Sequence, residues 1–162
     1  MAGALTIRAP LTGTVVALTD VGDEVFATDM VGPGLGIDPD QDSSVAHAPV
    51  AGVLAASLPH AFVVQSDTRG VLVHLGIDTV ELGGAGFSSS LRAGDPVAVG
   101  DPVVRWDPTS VVGSGRSAVC PVVAVQAPPG SIRWLVTAGA RVSAGDPLGE
   151  WSDTPATDGS GP

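Results

Sequence analysis

The chain repeats itself, and that repetition narrows its fold more than any other feature. Residues 92–107 read RAGDPVAVGDPVVRWD and residues 137–152 read TAGARVSAGDPLGEWS, with Ala, Gly, Val, Gly-Asp-Pro and Trp in register at a spacing of 45. A shorter pair is APLTG at 9–13 and APVAG at 48–52. Each copy has the same physical logic. Gly permits a turn with positive φ, Val enters a core, and Gly-Asp-Pro turns the chain into the next strand. Gly-Asp-Pro turns are common in all-β chains, but the matched Trp106 and Trp151 favour a true duplication. Two similar halves packed face to face would each cover the other's apolar side.

Helical periodicity is almost absent. Short β-branched runs bounded by Gly, Pro and Asp dominate, with 22 Gly and 14 Pro in 162 residues. Strands are predicted at 6–7, 13–17, 50–55, 61–65, 71–75, 103–106, 121–125, 132–135 and 148–151. Residues 108–118 read as a loop, and 152–162 as a disordered tail. The fold class that follows is all-β, an antiparallel β-sandwich or barrel built from a duplicated motif, with few or no long helices. An apolar share of 44% supports one real core in a chain of this length.

Charge removes several function classes. All seven basic residues are Arg, so Schiff-base chemistry, a P-loop and a lysine-linked cofactor are excluded. A lipoyl- or biotin-carrying domain, whose turns resemble these, fails for the same reason. No cofactor is expected. The net charge of −10 repels nucleic acid and would steer in a basic protein partner. Cys120 is the single cysteine, which rules out an internal disulfide, suits a reducing cytoplasm and reads as a small core residue. The N-terminus lacks the basic n-region of a signal peptide, and no apolar run approaches membrane-spanning length. A cytoplasmic location is therefore expected.

Three histidines carry the candidate chemistry. His47, in VAHAPVAG, reads as structural or surface. His60 opens HAFVVQSD and His74 lies in VLVHLGIDTVEL, with a plausible hairpin turn over 66–70 between them. A symmetric hairpin folded near Asp67 pairs His60 with His74 on one face, where opposed Cβ atoms lie ~4.5–5.5 Å apart. Two imidazoles so placed can share one small anion or one metal ion. Two unrelated histidines that merely flank a hairpin are the bland alternative.

VHLGIDTVEL, followed by Gly84-Ala85-Gly86-Phe87, resembles the active-site segment of the glucose-type IIA component of the bacterial phosphoenolpyruvate-dependent sugar phosphotransferase system. IRAPLTGTVVAL with VGDEVFATDMVGPGLGI, APVAGVL before HAF, AGDPVAVGDPVVRWD and CPVVAV are similar to the family's other segments in the same order. The resemblance runs from about Thr6 to Trp151 and implies a single IIA domain over 1–151 with an antiparallel β-sandwich fold.

The resemblance implies roles residue by residue. His74 matches the phosphorylated histidine, with the bond at Nε2. His60 matches the second histidine, which hydrogen-bonds the phosphoryl oxygens. Asp23 and Asp78 match acidic residues that contact a partner's arginine, and Val25, Phe26, Val31 and Leu72 match an apolar collar. The implied partners are the histidine-containing phosphocarrier protein as donor and a IIB domain of a membrane sugar permease as acceptor. No resident metal is expected; a zinc bridge to a partner is the one metal site that His60 and His74 could form. The chain departs from the pattern at Ala56, where the family carries a larger side chain. It departs again at Leu58, where a Thr often orients the phosphorylated histidine. A backbone carbonyl or the Gly76 region would then have to fix the imidazole. The span from His60 to His74 is also about one residue short.

These residue types suit phosphoryl transfer between histidines. The reaction needs in-line geometry and balanced charge on the equatorial oxygens rather than covalent help. An apolar collar limits hydrolysis, and an apolar patch ringed by Asp suits protein docking. Two other classes compete with this one. A lysostaphin-like zinc peptidase needs a His-x-His ligand pair, where this chain has His74-Leu75-Gly76. A regulatory binding protein without phosphotransfer is the other. The sugar is bound elsewhere, which leaves glucose, N-acetylglucosamine, trehalose and β-glucosides open.

Overall fold

The structure is a computed structural model that describes residues 3–23 and 31–152. Val25, Phe26 and residues 153–162 of the expected tail lie outside the described residues. In chain order the strands are β1 (Leu5–Arg8), β2 (Gly13–Ala17), β3 (Gly34–Pro39), β4 (Val45–His47), β5 (Gly52–Leu58), β6 (Ala61–Ser66) and β7 (Arg69–His74). They continue with β8 (Pro96–Val97), β9 (Pro102–Arg105), β10 (Cys120–Ala124), β11 (Ile132–Trp134), β12 (Arg141–Val142) and β13 (Pro147–Trp151). One short α-helix, α1 (Pro108–Gly113), lies between β9 and β10.

Among the described residues all strand pairs are antiparallel. An eight-stranded sheet runs β12-β2-β3-β10-β7-β6-β5-β8, a three-stranded sheet runs β1-β13-β11, and β4 pairs with β9. The core lies between the large sheet and the two small ones. It joins Val15, Ile37, Leu54, Phe62, Val64, Val71, Val73 and Val122 to Ile7, Val104, Trp106, Leu148 and Trp151. This is the β-sandwich expected from the sequence.

The duplication is built into the backbone. Read from either end, the large sheet has the same plan: β12-β2-β3-β10 on one side mirrors β8-β5-β6-β7 on the other. The hydrogen bonds repeat as well. Arg8 N donates to Pro49 O and His47 N to Pro10 O, both at 2.9 Å. Ala9 N donates to Asp146 O and Ala48 N to Asp101 O, both at 2.8 Å. In the Gly-Asp-Pro turns, Gly100 and Gly145 hold φ of 87° and 97°, and the following carboxylates accept from Ala98 N and Ser143 N at 2.8 Å. Glycine supplies the positive φ, and Asp closes the turn with its side chain.

The stretch read as a loop over 108–118 needs correction at its start, where α1 forms. Asp107 caps it by accepting from Thr109 N at 3.0 Å, and Pro108 occupies the first helical position. Six residues carry too few turns to show a periodic apolar face, so only the cap could have signalled it. Strands β3, β4, β8 and β12 were also missed; β8 and β12 have two residues each. At the other end of the chain, Ser152 is still tethered, its N–H donating to Ser131 O at 2.9 Å.

Candidate functional site

The alternation of β7 creates the site. Val71 and Val73 point into the core, so Leu72 and His74 emerge on the outer face of the large sheet. There Leu72 lies opposite Val123 of β10. A second apolar cluster forms on that face from Leu18, Val21, Ile77 and Val123, with Val16, Val31, Leu72 and Val119 packed against it. Gly36 makes room for it: a Cβ there would stand 2.7 Å from Val16 Cγ2 and 2.8 Å from Val21 Cγ1. Of the expected collar, Val31 and Leu72 therefore share one patch.

The predicted pairing of His60 with His74 is off by one residue. Ser66 pairs with Arg69 across a two-residue turn, which sets Ala61, not His60, opposite His74. The chain folds between Asp67 and Thr68 rather than about Asp67. His60 is instead the second residue of the Pro59-His60 turn, because Leu58 pairs with Ala61 across it. Proline favours the first turn position by fixing φ. The His60 carbonyl accepts from Leu75 N at 2.7 Å. The turn still delivers the side chain: the two imidazoles meet edge to face, centroids 5.0 Å apart at 73°.

The His74 ring is held by a backbone carbonyl. Its Nδ1 lies 2.6 Å from Gly76 O. A carbonyl oxygen only accepts, so Nδ1 carries the proton and Nε2 presents its lone pair. This carbonyl does the orienting expected of the Gly76 region once Leu58 replaces a Thr; Leu58 itself is exposed. Gly76 adopts φ of +81°, and an added Cβ would meet Thr79 Cγ2 at 2.7 Å and Ser117 O at 2.9 Å. Thr79 is fully buried and donates from Oγ1 to Leu75 O at 2.7 Å, closing the turn.

Burial favours the neutral form of both rings. Burial lowers the His74 pKa from its ordinary 6.5, against a partial rise from the Gly76 carbonyl and from Asp23 and Asp78. Burial lowers that of His60 as well, and the neighbouring His74 adds to it. Asp78 is exposed on the rim and Asp23 is half-buried near it. Among the described residues no cluster of three His, Cys, Asp or Glu side chains is placed to hold a metal ion. His47 lies elsewhere, its Nδ1 3.1 Å from Pro10 O. Cys120 is buried, and burial pushes its thiol pKa up.

Residues 5–129 match the family described as phosphoenolpyruvate-dependent sugar phosphotransferase system, EIIA 1. The chain belongs to that family. It is 39% identical over 122 residues to the glucose-specific EIIA component of the phosphotransferase system from Staphylococcus aureus strain Mu50, covering 74% of this chain and 72% of that one. The corresponding Staphylococcus epidermidis RP62A protein is 36% identical over the same length and shares. Glucose permease IIA from Mycoplasma capricolum superposes with a TM-score of 0.82 at 34% identity, covering 92% of this chain and 96% of that structure. As an EIIA protein the chain is a phosphocarrier serving sugar uptake. No described helix is long and apolar enough to cross a membrane.

Sequence reasoning missed the second support of the EIIA site. Ile77 N donates to Ser117 O at 2.9 Å, and Arg116 Nε to Asp78 O at 3.3 Å. Both partners lie in the segment read as loop. Their only sequence signal is an Arg-Ser pair ahead of a strand, which is too common to use.

Proposed function

We propose that His74 Nε2 accepts the phosphoryl group and that His60 stabilises it. The observation that carries this reading is the Nδ1–Gly76 O hydrogen bond, which leaves Nε2 as a neutral nucleophile beside the His60 ring. The lone pair of Nε2 attacks phosphorus as the donor's N–P bond breaks, and the pair of that bond returns to the donor nitrogen. Onward transfer repeats the step in reverse, with the His74 N–P bond breaking. His60 can donate to an equatorial oxygen in both directions.

The donor is the histidine-containing phosphocarrier protein, and the acceptor is a IIB domain of a sugar permease. Both dock on the apolar face formed by Leu72, Val31 and Val21, whose rim carries Asp23 and Asp78. The acidic rim and the −10 charge suit partners that bring arginine. This assignment places the protein in the cytoplasm. The deciding experiment supplies phosphoenolpyruvate, enzyme I and the phosphocarrier protein, and follows label onto the chain. Acid-labile, alkali-stable label is expected on the wild type and none on His74→Ala. Label that persists in His74→Ala would overturn the assignment.

A further inference from the structure

We propose that Arg116 is a positioning residue for His74, acting through Asp78 and the Gly76 carbonyl. This inference rests on His74 being the phosphoryl acceptor. Asp78 is not glycine, yet it adopts the left-handed conformation, with φ of 60° and ψ of 17°. Such a residue persists only where its surroundings hold it. The Asp78 carbonyl accepts from Glu81 N at 3.2 Å within the turn, and Arg116 is the restraint from outside it. The guanidinium donates from Nε to Asp78 O at 3.3 Å and from Nη2 to Glu81 Oε1 at 3.0 Å. It is braced from behind by Nη1, 3.2 Å from Ser114 Oγ. The adjoining residue, Ser117, takes the Ile77 N–H at 2.9 Å. Two consecutive residues of one loop thus clamp the 76–81 segment from one side.

That segment sets both determinants of His74. Gly76 O fixes the ring's tautomer and direction, and the Asp78 carboxylate sits on the rim next to it. If the clamp loosens, the left-handed turn relaxes and the carbonyl drifts from Nδ1. Among the described residues, the charged and titratable groups acting on His74 include His60, Asp23 and Asp78. Arg116 acts on the ring through the backbone. It lines an open cleft of about 420 Å³ with Val21, Ile77, Asp78 and Glu81, and its side chain is 25% exposed. Removing its fork therefore leaves no buried void, and the fold should survive.

The test compares wild type, Arg116→Gln and Arg116→Lys by NMR titration of the His74 ring and by single-turnover phosphoryl acceptance. Arg116→Gln should lower the His74 pKa, because two influences that raise it weaken together. Its maximal transfer rate should fall roughly 10- to 100-fold, with the donor concentration for half-maximal rate little changed. Arg116→Lys keeps the charge but lacks the rigid fork, so it should recover only part of both effects. It also carries the same test should Arg116→Gln fail to fold. A lowered melting temperature with His74 pKa and transfer rate unchanged would overturn the proposal. A wild type that accepts no phosphoryl group while Arg116→Gln still shifts the His74 pKa would overturn the acceptor assignment alone.

Discussion

The imidazoles of His60 and His74 stand 5.0 Å apart, edge to face, yet they come from different kinds of backbone. His74 ends a strand in the middle of the large sheet, and His60 sits in a two-residue turn. One ring is therefore fixed by the sheet and by the Gly76 carbonyl, while the other hangs on a hairpin end. That asymmetry fits a nucleophile that must not move and a donor that must follow the phosphoryl oxygens.

The two histidines should fail differently when replaced by Gln. His74→Gln removes the proposed nucleophile and should hold no phosphoryl group. His60→Gln keeps a neutral donor of similar reach, so acceptance on His74 should survive at a reduced rate. Onward transfer should suffer more, because charge grows on the phosphoryl oxygens as the group leaves; loss of such a donor costs ~10²–10³ in rate. Paired single-turnover rates, into this protein and out to a IIB domain, make the comparison. Equal loss in both steps would remove the transfer role from His60.

Both ring pKa values lie below the ordinary 6.5. In the window between the folded values and 6.5 the unfolded chain binds more protons, so stability rises with pH. The contribution is fully present above about 6.5 and is lost as pH falls through the folded values. Denaturant midpoints measured across that range should drop on acidification for the wild type and drop less for the His60→Gln, His74→Gln double variant. Parallel curves would mean that neither ring is held neutral by the fold.

Charge on the rim should act on encounter more than on chemistry. Phosphoryl acceptance should slow as salt rises, since exposed charges are screened beyond about 10 Å at 0.1 M. Asp78→Asn should slow it further at low salt and flatten the salt dependence. Stopped transfer at a series of salt concentrations reads both effects. Rates indifferent to salt and to Asp78→Asn would exclude electrostatic docking at this face.

Much of the fold was legible because duplication and short β-branched runs between turn residues both report on strands. The paired Gly-Asp-Pro turns and Trp106 with Trp151 announced two matched halves, and the structure repeats them down to single hydrogen bonds. Val71 and Val73 point inward and His74 outward, but the run Val71-Leu72-Val73-His74-Leu75 is apolar on both faces and did not by itself announce that orientation. Register was not legible, because turn length decides it. A two-residue turn at Asp67-Thr68 and a symmetric turn about Asp67 differ by one residue and share one composition. Within the site, His74, His60 and the Gly76 region were readable from the motif. Arg116 and Ser117 were not, since their contacts with Asp78 and Ile77 are long-range and involve main-chain atoms that no side-chain pattern encodes.

Gly76 ties stability to chemistry, and one substitution separates the two. Gly76→Ala meets two obstacles. An L-residue at φ of +81° costs about 1–2 kcal/mol. The new Cβ would also lie 2.7 Å from Thr79 Cγ2 and 2.9 Å from Ser117 O, and the latter is backbone that cannot step aside cheaply. Gly139→Ala provides the control. It has a comparable φ of +94° with nothing within 4 Å of the added Cβ, so it meets the conformational cost alone. Gly76→Ala should therefore be the less stable of the two by denaturant unfolding. Relief of its clash would push the 76–79 turn away from Ser117 and carry Gly76 O off His74 Nδ1. Phosphoryl acceptance per folded molecule should then fall for Gly76→Ala and hold for Gly139→Ala. Equal stabilities with unimpaired acceptance in both variants would show that the carbonyl of Gly76 does not set the nucleophile.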